Sequence, residues 1–297
     1  MAGLPFVLSV IGRDGIEAYA ESVGGAVALI GVAERIEWLA QGQAFDLPFA
    51  SEREAVLNAA RAVAGTAKLD INVVPAAKRR KKLLIADMDS TIIGCECLDE
   101  IADMAGLKDK VAPITEAAMR GEIEFEPALR RRTALLKGLP VETMARVYDE
   151  RVRLNPGARA MVATMRANGA RTMLVSSGFR YFTQRVAQDC GFETEQANVL
   201  LERDGVFTGE VAEPILGRDA KLRALEAAVS EFGIGFDDVL AVGDGANDLA
   251  MIAQAGLGVA WHAKPILAAA ASAVIAHGDL PSLLYLQGYR EEDIRAA

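Results

Sequence analysis

Short apolar runs and amphipathic stretches alternate along most of the chain. In the first quarter, Phe6-Val7-Leu8-Ser9-Val10-Ile11 predicts a buried strand and Ala18 to Ile30 a helix. Arg35 to Ala40 follows as an alternating strand, Glu52 to Ala64 as a helix and Leu69 to Val74 as a third strand, a small βαβαβ unit. The basic run Lys78-Arg79-Arg80-Lys81-Lys82 has no apolar periodicity, as expected of a solvated linker. A boundary is expected there, giving domains 1–77 and 78–297 with few contacts crossing between them.

The second part opens on Lys82-Leu83-Leu84-Ile85-Ala86, an apolar strand that stops abruptly at Asp87-Met88-Asp89-Ser90-Thr91. Carboxylates at the end of a continuous apolar strand mark a parallel sheet whose C-terminal edge meets a ligand. From Leu98 to about Arg153 the pattern is helical, with breaks near Gly106, Gly121 and Gly138. Four short helices inserted after a first core strand predict a cap, over about 95–155. Helix and strand signals then alternate again: helix 157–168, strand 171–175, helix 179–190, helix 220–232, strand 239–242, helix 248–255 and strand 258–260. Within this series Asp204-Gly205 predicts a hairpin between two β-prone runs. The fold class is α/β: a doubly wound parallel sheet with an inserted helical cap, preceded by the small N-terminal domain.

Composition narrows the chemistry. With Lys+Arg 32 against Asp+Glu 41 the formal net charge is -9, so nucleic acid is an unsuited partner. No apolar stretch approaches the roughly 18 residues of a spanning helix, and Met1-Ala2-Gly3-Leu4-Pro5 lacks a basic signal-peptide region. A cytoplasmic protein without a membrane role is expected. Three cysteines, Cys95, Cys97 and Cys190, are too few at zinc-site spacing and are expected as reduced thiols. Only two histidines, His262 and His277, are present, and neither a G-x-S-x-G elbow nor a P-loop occurs. Proton transfer therefore falls to carboxylates.

Asp87 and Asp89 would repel each other unless a cation sits between them or one is protonated. Mg²⁺ fits, as a hard ion that takes one or two carboxylates and completes its shell with water and phosphate; a turn with helix-capping acids is the plainer alternative. A second apolar strand ends in Gly243-Asp244-Gly245-Ala246-Asn247-Asp248. A dinucleotide fingerprint fails here, because its third glycine position is Asp248 and acids repel a pyrophosphate. A third strand end, Val175-Ser176-Ser177-Gly178-Phe179, opens a helix and offers N–H groups to an anion, or simply caps that helix. Lys221 supplies a point charge for a phosphate oxygen, or is a solvated helix lysine.

The four motifs in this order resemble the haloacid dehalogenase-like phosphohydrolases. The narrower resemblance is to the phosphoserine phosphatases among them, carried by Asp87-Met88-Asp89-Ser90-Thr91, Glu96, Phe125 to Arg132 and Ala263 to Leu267. It covers roughly 82–285. The resemblance implies Asp87 as nucleophile, Asp89 as general acid and base, and Mg²⁺ held by Asp87, Asp89 through its backbone carbonyl, and Asp244, with Asp248 in support. It further implies phosphate contacts from Ser176, Ser177, Lys221 and Asn247. Glu96 and Arg132 would read the ammonium and carboxylate of phosphoserine, and Met119 and Phe125 would line the cap. The expected activity is hydrolysis of O-phospho-L-serine to L-serine and phosphate through an aspartyl-phosphate, the last step of serine biosynthesis. Ser177 departs from the S-G-G-F pattern common in the family. The N-terminal unit resembles ACT-like amino-acid-binding domains, with serine as its expected ligand or a homodimer as its product.

Overall fold

The computed structural model describes residues 4–13, 15–119 and 122–296, the side chains of Met119 and Arg218 excepted. The expected break at Gly121 and the lining role of Met119 thus lie outside what is described. The chain divides into two compact units, 1–84 with 156–171 and 233–297, and 85–155 with 172–232.

In the first unit, strands β1 (Phe6–Ile11), β2 (Val32–Ala33), β3 (Glu37–Ala40), β4 (Ala44–Ala50) and β5 (Asp70–Pro75) form an antiparallel sheet of order β2-β4-β1-β5, with β3 also paired to β4. Helices Glu17–Ala28 and Arg53–Ala64 bury Val23, Val27, Val56 and Ala60 against Leu8, Val10, Phe45 and Phe49. The βαβαβ expectation omitted β4, because Pro48 interrupts its apolar pattern and proline argues against an inner strand. Pro48 nevertheless stands opposite Val7, and its carbonyl accepts from Glu34 N at 2.9 Å.

The basic run is no solvated linker. The Arg79 guanidinium is buried against Asp46, and its Nε and Nη2 donate to the carbonyls of Leu286 (2.8 Å) and Tyr285 (3.0 Å). These carbonyls end the short helix Ser282–Tyr285, where a guanidinium meets unpaired acceptors and the negative end of the helix dipole. Lys81 Nζ donates to the Asp237 carbonyl at 2.7 Å, and Lys81 N to Gln287 Oε1 at 3.0 Å. Charge without periodicity describes a loop, but long stems carry their charged heads to buried carbonyls as readily as to water.

Past β5 the chain enters β6 (Leu83–Ala86), then β7 (Arg171–Phe179), β8 (Thr194–Asn198), the hairpin β9 (Leu200–Arg203) and β10 (Val206–Val211), β11 (Val239–Gly243), β12 (Leu257–Trp261) and β13 (Ala273–Ile275). The larger sheet has the order β13-β12-β11-β6-β7-β8. Its pairs β11·β12, β12·β13 and β7·β8 are parallel. This is the expected doubly wound core, with the first core strand in the middle. The edge strands β8 and β13 escaped the pattern, one because Thr194-Glu195-Gln196 is polar as edges are, the other because it has three residues in an alanine-rich stretch.

β5 docks on the β13 edge through side chains. The Asn72 carboxamide exchanges two hydrogen bonds with the backbone of Val274 (3.0 and 2.8 Å). The Asp70 carboxylate accepts from the N–H groups of Ala276 (2.8 Å), His277 (3.2 Å) and Gly278 (2.8 Å). The few crossing contacts expected at this boundary are in fact a buried polar seam.

The second unit holds the cap helices Cys97–Met104, Lys108–Met119, Phe125–Ala134 and Glu142–Arg151, matching the four expected. A clasp closes the insertion: Ile93 bridges Leu154, Gly94 N donates to Arg153 O at 3.0 Å, and Asn155 donates from N to Ile92 O and from Nδ2 to Thr91 O, each at 2.8 Å. The hairpin turn forms where expected, with Asp204 and Gly205 both at positive φ (53° and 78°) as a tight two-residue turn requires. That hairpin joins the cap through Val141 N to Gly205 O at 3.0 Å and Gly138 N to Phe207 O at 2.8 Å.

Candidate active site

The apolar residues of β6 are fully buried, and the chain leaves the sheet at Asp87 in an extended conformation. It then coils through Met88–Ile92, where Ser90 takes φ 55°, a left-handed position that costs a serine on the order of 1 kcal/mol. Two bonds hold Ser90 there: its N–H donates to Cys95 O at 3.2 Å, and its hydroxyl to Glu96 Oε1 at 2.7 Å. Glu96 is thereby fixed by the loop that carries the two aspartates.

Asp87 Oδ1 accepts from Met88 N at 2.8 Å and lies 2.6 Å from Lys221 Nζ, the side chains being 5% and 1% exposed. A lysine buried this deeply is no solvated helix residue; leaving it unpaired would cost several kcal/mol. Asp89 Oδ1 accepts from Cys97 N at 2.9 Å, and Oδ2 from Ser176 Oγ at 3.0 Å. Ser176 Oγ in turn accepts from Gly178 N at 2.8 Å. A Cβ at Gly178 would come within 2.9 Å of Asp89 Oδ2, so only glycine lets the backbone approach this carboxylate.

Asp87, Asp244 and Asp248 each offer a carboxylate oxygen, and these atoms lie within 4.8 Å of one another. Asp248 is wholly buried, and its Oδ2 accepts from Gly245 N at 3.1 Å. A Cβ at Gly243 would come within 2.4 Å of the Asp248 carboxylate, which explains the glycine there. Oxygen donors alone, gathered partly out of water, suit a hard divalent cation. Asn247 is half-buried beside Gly245.

The remaining expected residues lie in or near the cap. Arg132 on helix Phe125–Ala134 is half-buried; its Nη1 reaches Thr115 Oγ1 only at 3.4 Å, and its buried Nε has no hydrogen-bond partner among the described residues. Burial draws its pKa below the ordinary guanidinium value, against the pull of Asp99 and Glu96. Burial likewise pushes the Asp99 carboxyl upward, with Arg132 opposing. Phe125 packs against Gly217, where a Cβ would sit 3.2 Å from its ring. The Ser177 hydroxyl is buried without a partner among the described residues, while its carbonyl accepts from Asn198 Nδ2 at 2.8 Å. Asn198 also holds Leu216 from both sides, its Oδ1 accepting from Leu216 N at 2.7 Å and its Nδ2 donating to Leu216 O at 3.1 Å. Asn198, Asp99 and Thr115 were not anticipated; the asparagine ends a polar strand that carries no hydrophobic signal.

The site combines strand-end acids, a buried lysine and a serine hydrogen-bonded to Asp89. A family model described as haloacid dehalogenase-like hydrolase matches residues 84–253, and the chain belongs to that family. Within it, the chain is 46% identical over 210 residues to the phosphoserine phosphatase of Polaromonas sp. (strain JS666 / ATCC BAA-500), covering 69% of this chain and 89% of that one. Among solved structures it resembles a haloacid dehalogenase family hydrolase from Salmonella enterica subsp. enterica serovar Typhi, with a TM-score of 0.85, 27% identity and coverage of 97% and 99% of the two chains. It also resembles a phospho-aspartyl intermediate analogue of a phosphoserine phosphatase, with a TM-score of 0.65, 38% identity and coverage of 69% and 98%. Among the described residues, no helix is long and apolar enough to cross a membrane.

Proposed function

We propose that the chain hydrolyses O-phospho-L-serine to L-serine and inorganic phosphate, with Asp87 as nucleophile. The Asp87 carboxylate, its plane fixed by Lys221 and Met88 N, attacks phosphorus, and the bond from phosphorus to the serine oxygen breaks. Asp89 delivers a proton to that oxygen, and L-serine leaves. Asp89 then takes a proton from water, which attacks the aspartyl-phosphate and frees phosphate and Asp87. Ser176, Ser177, Lys221 and Asn247 are assigned to the phosphoryl oxygens. Mg²⁺ would be held by Asp87, Asp244, the Asp89 carbonyl and nearby Asp248, and would supply charge neutralisation as a carboxylate approaches a dianion.

The observation that carries the substrate is Arg132, a half-buried cation with one long hydrogen bond and a buried Nε that has no partner among the described residues. A carboxylate three bonds beyond the phosphate ester oxygen of phosphoserine satisfies such a group, and Glu96 complements the ammonium. Residues 1–77 are assigned as an ACT-like regulatory or dimerisation domain with serine as its ligand, and 78–297 as the catalytic domain. The place of work is assigned as the cytoplasm, which three free thiols suit. Phosphate release from a panel of phospho-amino acids and sugar phosphates tests the reading, with EDTA and then with Mg²⁺ restored. Phosphoserine should lead the panel and need the metal; a preferred sugar phosphate would overturn the assignment.

A further inference from the structure

Both histidines of this chain line one cleft, together with Arg13, Tyr19, Lys68 and Leu69, and its volume is about 590 Å³. In a protein of net charge -9, its lining among the described residues holds two cations and two imidazoles and no carboxylate. Two described acids that touch this wall are already engaged or weakly paired. Asp70 is buried and saturated by three backbone N–H groups, and Asp279 meets Arg13 at 3.5 Å with both side chains well exposed, a pairing that neutralises little. Lys68 has no ion pair or hydrogen bond among the described residues.

The walls are built rather than accidental. The Asp70 bonds pin the segment Ala276-His277-Gly278, and Arg13 Nε donates to the His277 carbonyl at 3.3 Å. His262 takes φ 40°, and its Nε2 faces the Gly278 carbonyl at 3.1 Å. Because a carbonyl can only accept, Nε2 carries the hydrogen.

We propose that this cleft is a second binding site, for a small oxyanion bearing a phosphate or a carboxylate group. Arg13 and Lys68 supply the charge and the donors, and the two imidazoles flank them. Nothing in this inference depends on the substrate assigned above.

The test uses the full chain treated with EDTA, at constant pH and ionic strength. Inorganic phosphate and, separately, acetate are titrated while the histidine Cε1–H signals are followed by NMR, with chloride as the control. Only two histidines exist, and both line the cleft; because Lys264 N, two residues from His262, donates to the Asp244 carbonyl at 3.1 Å, the His277 signal and the double variant separate the cleft from the strand-end cluster. Both should shift saturably, with half-saturation below about 10 mM, and the double variant Arg13→Gln/Lys68→Gln should weaken this at least about tenfold while keeping its circular dichroism. A response to phosphate alone identifies a phosphoryl ligand, and one to acetate as well a carboxylate. Signals unmoved by either anion up to about 50 mM, moved equally by chloride, or indifferent to the double variant would overturn the proposal.

Discussion

The strand-end cluster and the cap cluster handle polar burial in opposite ways. At the strand ends the contacts are short: 2.6 Å from Lys221 to Asp87, 2.8 Å from Met88 N to Asp87, 3.0 Å from Ser176 to Asp89. In the cap, Arg132 has one bond at 3.4 Å and a buried nitrogen without a partner among the described residues. On the proposed mechanism, groups that act on every turnover are preorganised by the protein, which spares reorganisation during the reaction. On the same proposal, groups that select a substrate keep bonding capacity for it, because a site left with unpaired polar atoms discriminates strongly against a ligand lacking the complement.

This contrast is breakable by graded substitutions. Asp87→Asn should have the largest effect, lowering kcat by more than about a thousandfold for every phosphomonoester tested; measurable steady turnover, with deamidation excluded by mass spectrometry, would remove Asp87 from the nucleophile role. Asp89→Asn should lower kcat by about a hundred- to ten-thousandfold, again regardless of substrate, and stopped-flow phosphate release would locate the loss. Arg132→Ala should cut kcat/KM for phosphoserine by about ten- to a hundredfold, the worth of a charge-assisted pair, while sparing a phosphomonoester without a carboxylate; an equal loss on both would place Arg132 among the structural groups. Thr115→Val should be mildest, raising KM for phosphoserine by about two- to tenfold at unchanged kcat, with thermal melts checking that the cap stays folded.

Much of the catalytic core was legible because its signals are local. An apolar run that ends in acids announces a strand end, and Asp87, Asp89, Asp244 and Asp248 each followed such a run. Lys221 was legible only in company, since one lysine on an amphipathic helix looks the same whether it meets water or Asp87. The seam between β5 and β13 was hidden because Asp70 and Asn72 stand in a strand with ordinary alternation, and their partners lie about 200 positions away in sequence. Arg79 was misread for a related reason. Charge predicts solvent only when no buried acceptor is near, and the carbonyls that receive Arg79 are set by tertiary structure. The cap helices were visible, yet Thr115 and Asp99 were not, because a threonine and an acid on a helix carry no mark of the arginine they face.

The clasp that joins Ile93 and Gly94 to Arg153, Leu154 and Asn155 bears on how such a protein can diversify. Because the insertion leaves and rejoins the core at one point, the strand ends are anchored by the clasp, while the helices above it meet the β9–β10 hairpin through contacts such as those of Gly138 and Val141. Doubling the length of such a closed segment adds only about 0.6 kcal/mol of chain entropy. Selection can therefore lengthen, shorten or replace the helices above the clasp while inheriting the strand-end chemistry unchanged, so that new substrates arise by exchange of a module rather than by redesign of an enzyme.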